Sequence, residues 1–368
     1  MKNIFETLGL PRRPIMLAPL AGVSDIPFRR ICQRLGADLT YVEMLSAVAI
    51  NHRSERTLAM MERHPEENIL GVQVTSGSAE AMYDAVRFLD QQNFETIDIN
   101  MGCPVRKVVK SGSGSAILKD LKRVYETTQA ARKATSKPLS VKIRMGWDGH
   151  SKNYLEVGKA AEDAGADWIT MHGRTRNDDY SVPVDINALA ELKAHVSIPV
   201  IGNGNIMYVS DADKMLATSK VDGLMVSRGA LGNPWLFRDL QAPSFSTSDK
   251  VSLDEWAGLV IDHLSWQKGQ YINQTAAAVC MRKHLLWYLK GWPGARRWRD
   301  QINNASDLDS AVELVQQMVG SLRNEGVAYR GSLEEGVKGR ERFFWEPKFD
   351  MDRVLDRGVG DDGGSSCG

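Results

Sequence analysis

Residues 199–232, PVIGNGNIMYVSDADKMLATSKVDGLMVSRGALG, decide the fold. Pro199–Ile201 is a short apolar run that leads into Gly202-Asn203-Gly204-Asn205. Asp211–Ala217 then carries apolar residues at helical spacing. Gly223–Val226 is a second apolar run, and it leads into Ser227-Arg228-Gly229-Ala230-Leu231-Gly232. A short run that is apolar on both faces reads as a strand covered on both sides. The segment is therefore one step of a parallel sheet, with a glycine-rich loop after each strand. The same rhythm runs back to the N-terminus. Ile15–Ala18, Leu39–Glu43, Leu70–Val74, Thr96–Ile99, Leu139–Ile143 and Trp168–Met171 read as strands, and Ser78–Gln92 and Lys152–Ala164 as helices between them. Eight strands alternating with helices over about 230 residues predict an α/β fold, a (β/α)8 TIM barrel. An open doubly wound sheet would want an early GxGxxG turn, and the chain has none.

The barrel is expected over residues 1–240. Gln-Ala-Pro-Ser-Phe-Ser-Thr-Ser-Asp, from Gln241, has no periodicity and reads as a linker. Helical patterns follow at Leu253–Gln267, Thr275–Leu289 and Leu308–Asn324, which predicts a C-terminal helical domain over 250–326. Residues 329–368 turn to glycine, charge and scattered aromatics, the composition of a disordered tail. Of 368 residues, 43% are apolar and 25% charged, which excludes a fibre, a coiled-coil rod and global disorder. No run approaches the ~18 apolar residues of a membrane span, and the N-terminus does not read as a secretory signal. Cys32, Cys103, Cys280 and Cys367 are scattered, with no metal-binding spacing. A cytoplasmic protein without a metal, and a monomer, is the expectation. The 46 basic and 46 acidic side chains cancel, so any nucleic-acid site must rest on local charge.

Chemistry in such a barrel collects where the strands end. Ala18-Pro19-Leu20-Ala21-Gly22 lets backbone approach a flat ligand closely, although a plain turn capped by Ser24 or Asp25 would look alike. Gln73 is an amide inside a strand; it serves either a core hydrogen bond or a ligand's ring edge. Asn100-Met101-Gly102-Cys103-Pro104 places a thiol on a turn stiffened by proline. A buried inert cysteine is the plain alternative, but position argues for function; nucleophilic chemistry is not excluded by spacing, and an ordinary thiol with a pKa of ~8.5, protonated at neutral pH, can serve as a proton donor. Lys142 and Arg144 share one face of a strand, as an active-site cation pair or as members of structural ion pairs. His172 ends a strand, with Gly173, Arg174 and Arg176 behind it. The glycine-rich loops holding Asn203, Gly204, Arg228 and Gly229 together form the phosphate cradle common in these barrels.

These motifs resemble one family. APLAGVSDIPFR (18–29), DINMGCP (98–104), SVKIRMGW (140–147), MHGRTR (171–176), VIGNGNI (200–206) and SRGALGNPW (227–235), in this order, are similar to the tRNA-dihydrouridine synthases. The bacterial B-type subgroup is the nearest, and MRKHLLWYL (281–289) resembles it as well. The likeness covers roughly residues 11–325; the Gly/Ser-rich segment 109–114 and the tail depart from it. It implies FMN at the barrel mouth, reduced by NADPH (or NADH). Hydride then passes to C6 of a flipped-out tRNA uridine, and a cysteine protonates C5. Carried over, Cys103 is the proton donor. Gln73, Lys142, His172, Asn203, Gly204, Arg228 and Gly229 bind FMN, and Pro19, Leu20 and Ala21 line its ring. Asn100 addresses the uracil edge, and Arg174 is assigned to the tRNA side.

Residues 281–299 hold Arg282, Lys283, Lys290, Arg296, Arg297 and Arg299 and no acid, with Trp287, Tyr288, Trp292 and Trp298 interleaved. Cations for phosphates beside aromatics for bases is an RNA-binding composition. A solvated helix face with its aromatics in the core would read the same way, and we expect both: aromatics mostly inward, cations towards tRNA. Arg106, Lys107 and Lys110 form a second basic stretch after the thiol. The rival functions are a small-molecule flavin reductase resembling dihydroorotate dehydrogenases, which would lack the basic helical part, and a tRNA-binding protein without chemistry.

Overall fold

The computed structural model describes residues 4–242, 250–271 and 273–333. Its strands are β1 (Ile15–Leu17), β2 (Thr40–Tyr41), β3 (Leu45–Ser46), β4 (Leu70–Thr75), β5 (Thr96–Asn100), β6 (Leu139–Arg144), β7 (Trp168–His172), β8 (Val200–Asn203) and β9 (Gly223–Val226). They pair in parallel in the order β1-β9-β8-β7-β6-β5-β4-β2, with β3 also on β4. A bridge from Met16 to Leu39 joins the two ends of this order. The result is the (β/α)8 barrel that the alternation predicts. Helices pack outside it behind short polar caps: Ser78, Asp120 and Asp185 each accept from the first turn of the helix that follows. At the N-terminal end Phe5 lies edge-on against Trp168, with ring centres 5.7 Å apart, and helps to fill the barrel floor.

Two departures from the expected strands bear on the site. The run Leu39–Glu43 is two short strands, because the chain leaves the ladder at Val42-Glu43-Met44. There Glu43 turns its carboxylate to the Gly22 amide, 2.5 Å away, in the loop after β1. Meanwhile β4 to β8 each run further than the apolar pattern, to Thr75, Asn100, Arg144, His172 and Asn203. Backbone pairing does not depend on side-chain polarity. The ladder continues through Asn100 opposite Lys142, Arg144 opposite His172, and His172 opposite Asn203. The polar residues that end each run in the sequence therefore stand on rigid strand ends.

After the barrel, helices Leu253–Gln270, Gln274–Tyr288, Ala295–Asn304 and Leu308–Asn324 enclose a second core around Trp256, Leu285, Trp292, Trp298 and Met318. Ile31 and Trp235 of the barrel join this core. Helix Ala295–Asn304 was hidden in the sequence by its arginines; Trp298 and Ile302 are its buried face. Helix Gln274–Tyr288 lies directly on the loop after β9. A side chain at Gly232, whose φ is +72°, would start 2.1 Å from the Trp287 carbonyl oxygen. The first residues of the expected tail pack against the rest of the protein. Tyr329 bridges to Ser252, and buried Arg330 donates to Asn233 Oδ1 at 2.8 Å. Residues 334–368 of that tail, and 243–249 of the expected linker, lie outside the described residues. Among the described residues no helix is long and apolar enough to cross a membrane.

Candidate active site

One pocket opens at the C-terminal ends of the strands, with a volume of about 1080 Å³ including its mouth. Pro19, Leu20, Ala21, Gln73, Asn100, Cys103, Lys142, His172, Asn203, Gly204, Arg228 and Gly229 all line it. Residues up to 210 positions apart in the chain thus meet in one place, because each lies in the C-terminal half of a strand of the same barrel or in the loop after it. Sequence reasoning passed over several other lining residues: Met44, Tyr180, Asn205, Ile206 and Met207. Only Asn205 left a trace, as a polar residue in a glycine-rich loop. Its φ of +50° shows that this loop is set by the fold and not by glycine alone.

The thiol turn is held from every side. Asn100 Oδ1 accepts from the amides of Gly102 (3.1 Å) and Cys103 (2.9 Å). Arg144 Nε donates to the Gly102 carbonyl at 2.9 Å. The Cys103 carbonyl accepts from both the amide and the hydroxyl of Ser115. The Gly/Ser-rich stretch after the turn has a structural purpose. Gly114 sits at φ +58°, and a Cβ there would lie 2.8 Å from the Cys103 carbonyl oxygen. Asn100 is therefore committed to the turn, with its Nδ2 given to Gln73 at 2.8 Å.

The pocket is cationic. Lys142, Arg144 and Arg228 line it, and among the described residues no Asp or Glu does. Lys142 Nζ donates to Asn203 Oδ1 at 3.0 Å. Burial, and next the neighbouring Arg144, push its ammonium pKa down to about 8. Both cations interact electrostatically with Cys103. His172 is buried among Arg144, Lys142, Arg174 and Arg228; burial first and then these charges hold it well below the usual imidazole range, so it is neutral. Arg174 Nη1 lies 3.2 Å from His172 Nε2. A guanidinium only donates, so Nε2 accepts and the ring proton is on Nδ1. Arg228 stacks on Tyr180 at 3.6 Å and donates to Asn205 Oδ1 at 3.2 Å.

The residues expected to meet RNA divide into three groups. Arg106 and Lys107 are exposed on the short helix that follows the thiol turn. Arg174 is buried, with 1% of its surface exposed, and donates to the carbonyls of Val182 and Tyr180 and to Asn205 Oδ1. Its guanidinium organises the loop after β7 and faces no open surface. The third group belongs to the helical region. Arg296, Arg297 and Arg299 are exposed, with Arg297 bound to Glu325 at 2.7 Å. Arg282 donates to the Ala305 carbonyl, which ties two helices together. Lys283 points back into the barrel and donates to the carbonyl of Gly22, beside Asp25 and Glu43.

Comparison with known proteins places this geometry. Residues 16–323 match the model of the family described as dihydrouridine synthase. The chain is 35% identical over 320 residues to tRNA-dihydrouridine synthase B of Pseudomonas aeruginosa, covering 86% of this chain and 96% of that one. It is 38% identical over 317 residues to the protein of the same name from Pseudomonas putida, covering 85% and 93%. Among solved structures, histamine dehydrogenase from Rhizobium sp. 4-9 shares the fold at a TM-score of 0.50 and 11% identity, over 69% of this chain and 48% of that one. The thiol turn, the cationic strand ends and the glycine loops all fall within the matched residues, and the chain belongs to the dihydrouridine synthase family.

Proposed function

We propose that this protein is a cytoplasmic, monomeric tRNA-dihydrouridine synthase that uses FMN and NADPH to reduce the C5=C6 bond of uridine. The carrying observation is a buried thiol on a braced turn, facing a pocket that, among the described residues, is lined by three cations and no carboxylate, in a chain of this family. The donor set fits a flat, electron-rich, phosphorylated ring. The Gln73 amide and the Lys142 ammonium, which Asn203 holds through its Oδ1, suit a pyrimidine edge, and Arg228 suits a phosphate. Pro19, Leu20 and Ala21 would lie along the ring. Bound FMN, reduced by NADPH, would supply hydride to C6 of the uracil. Cys103 would give its Sγ proton to C5, so that one hydride and one proton saturate the double bond. Fixed placement of the donor matters because the two additions must be aimed at adjacent carbons. The bonds to Asn100, Arg144 and Ser115 provide that placement for the thiol. Lys142 would balance negative charge in the ring beside it.

Mapping dihydrouridine in tRNA from a strain with and without this gene tests the reading. Loss of the modification at defined positions, restored by the gene, supports it. Unchanged dihydrouridine in the deletion strain refutes it. A purified protein without flavin absorbance would refute the cofactor.

A further inference from the structure

We propose that Asp98 is a positioning residue that sets the direction of the amide groups of Gln73 and Asn100, and through them both the donors offered to the pocket and the thiol turn. Asp98 stands inside the barrel on β5, with 1% of its surface exposed, below the pocket and not among its lining residues. Ser140 donates to its Oδ1 at 2.5 Å, and Gln73 Nε2 donates to its Oδ2 at 2.7 Å. Gln73 on β4 is its register partner.

The consequence follows from donor and acceptor identities. An ionised carboxylate only accepts. Facing Asp98, Gln73 must present Nε2 and keep Oε1 for its other neighbour. That neighbour is Asn100, which must then present Nδ2; the contact is 2.8 Å. Asn100 is left with Oδ1 for the amides of Gly102 and Cys103, and these need an acceptor. One acceptor at the base of the chain thus orders two side-chain amides and the thiol turn in a single sense. It also leaves one N–H of Gln73 for the pocket, so that the pocket meets a carbonyl edge with a donor and not with an oxygen. Burial raises the Asp98 pKa to about 6, which still leaves it ionised at neutral pH. Lys142 favours that charge, and Tyr41 also lies near it. Networks of this kind lose their order when one member can face either way. An asparagine at 98 would do that, since its amide both donates and accepts.

The part concerning the pocket rests on FMN as the cofactor; the part concerning the thiol turn does not. The test uses full-length apoprotein of wild type, Asp98→Asn and the exchange Asp98→Asn with Gln73→Glu. Two quantities are read: FMN affinity by quenching of flavin fluorescence, and the rate of iodoacetamide labelling of Cys103 by peptide mass spectrometry. Asp98→Asn is expected to weaken FMN at least tenfold and to change the Cys103 labelling rate several-fold. The exchange keeps an acceptor between positions 98 and 100 but turns a carboxylate towards the pocket. It should restore the wild-type labelling rate and leave FMN binding weak. Folded Asp98→Asn protein with wild-type values for both would overturn the proposal. If Asp98→Asn does not fold, an exchange protein that binds FMN like wild type overturns it instead. Wild-type protein that does not bind FMN would count against the cofactor and leave the thiol readout to decide on Asp98.

Discussion

Cys103, on the turn after β5, and Lys142, within neighbouring β6, have proposed chemistries that separate cleanly. Replacing Cys103 with alanine removes the proton donor and leaves the cationic wall intact. The variant is expected to retain flavin and to be reduced by NADPH at the normal rate, while uridine reduction falls ~10²–10⁴-fold. Single-turnover oxidation of the reduced enzyme by unmodified tRNA measures this; a wild-type rate would remove Cys103 from the mechanism. Lys142 gives a pH-dependent expectation. Its pKa is depressed to about 8 by burial and by Arg144, so it is a cation at neutral pH. Negative charge on a reduced ring beside it would favour the protonated form and raise that value. The ammonium should therefore hold the flavin midpoint potential up at pH 7, and this help should fade as pH rises beyond about 8. Lys142→Met should have the lower potential at pH 7, and the two proteins should converge at alkaline pH. Spectroelectrochemical titration at several pH values checks this, and a constant gap would mean that Lys142 does not titrate there. At this scale the sequence was readable for residue type and nearly silent on partnership. Asn100 was expected at the uracil edge; it lines the pocket, and its Oδ1 also accepts from two backbone amides of the thiol turn, which its residue type alone did not show.

Among elements, the contact between helix Gln274–Tyr288 and the loop after β1 has the clearest consequence. Both polar groups of the Gly22 peptide are satisfied by distant side chains. Glu43 accepts its N–H, and Lys283 donates to its carbonyl from the helix. The lysine also offsets the half-buried carboxylates of Asp25 and Glu43, whose pKa values desolvation raises. Lys283→Met would leave that carbonyl without its donor and those charges with Arg29 alone. A charged hydrogen bond lost in this way costs about 1.5–3 kcal/mol. We expect a lower thermal midpoint. Flavin should also dissociate faster, because Leu20 and Ala21 line the pocket just before Gly22. Calorimetry and flavin release on dilution measure the two effects; unchanged values for both would leave Lys283 with no role in holding the loop. The sequence placed this lysine in a basic stretch and assigned it to RNA. Its direction was not readable, since only the docking of the helix on the barrel decides which face of that helix is buried.

For the whole molecule, zero net charge puts weight on where the cations lie. Arg296, Arg297 and Arg299 are exposed on helix Ala295–Asn304, whereas Trp298 and Ile302 on the same helix are buried. Changing the three arginines together to alanine should weaken tRNA binding and spare flavin content and NADPH oxidation. If each neutralises one phosphate, the slope of log affinity against log salt should flatten by about 2–3 units, taking roughly 0.7–0.9 per phosphate. Filter binding across a salt series reads this directly. Parallel lines would shift attention to Arg106 and Lys107, exposed on the helix beside the thiol turn. Arg297 also holds Glu325 and Ser321, so a melting curve of the variant separates lost binding from lost packing.

Local pattern alone determined the barrel. Short apolar runs, glycine-rich loops and helical spacing are properties of neighbours in the chain, and parallel strands connected by helices have few ways to close. It also determined which residue types stand at the strand ends, and hence the family. Only the tertiary structure decided which of them face one another. Arg174, assigned to the tRNA side, is a buried brace for its own loop; Lys283, assigned to RNA, ties helix to barrel; and Asp98, read only as part of a strand and a motif, is the acceptor beneath two amides. The reason is physical: polarity is written residue by residue, but a hydrogen bond needs a partner at about 3 Å, and those partners lie tens to hundreds of positions away in the chain.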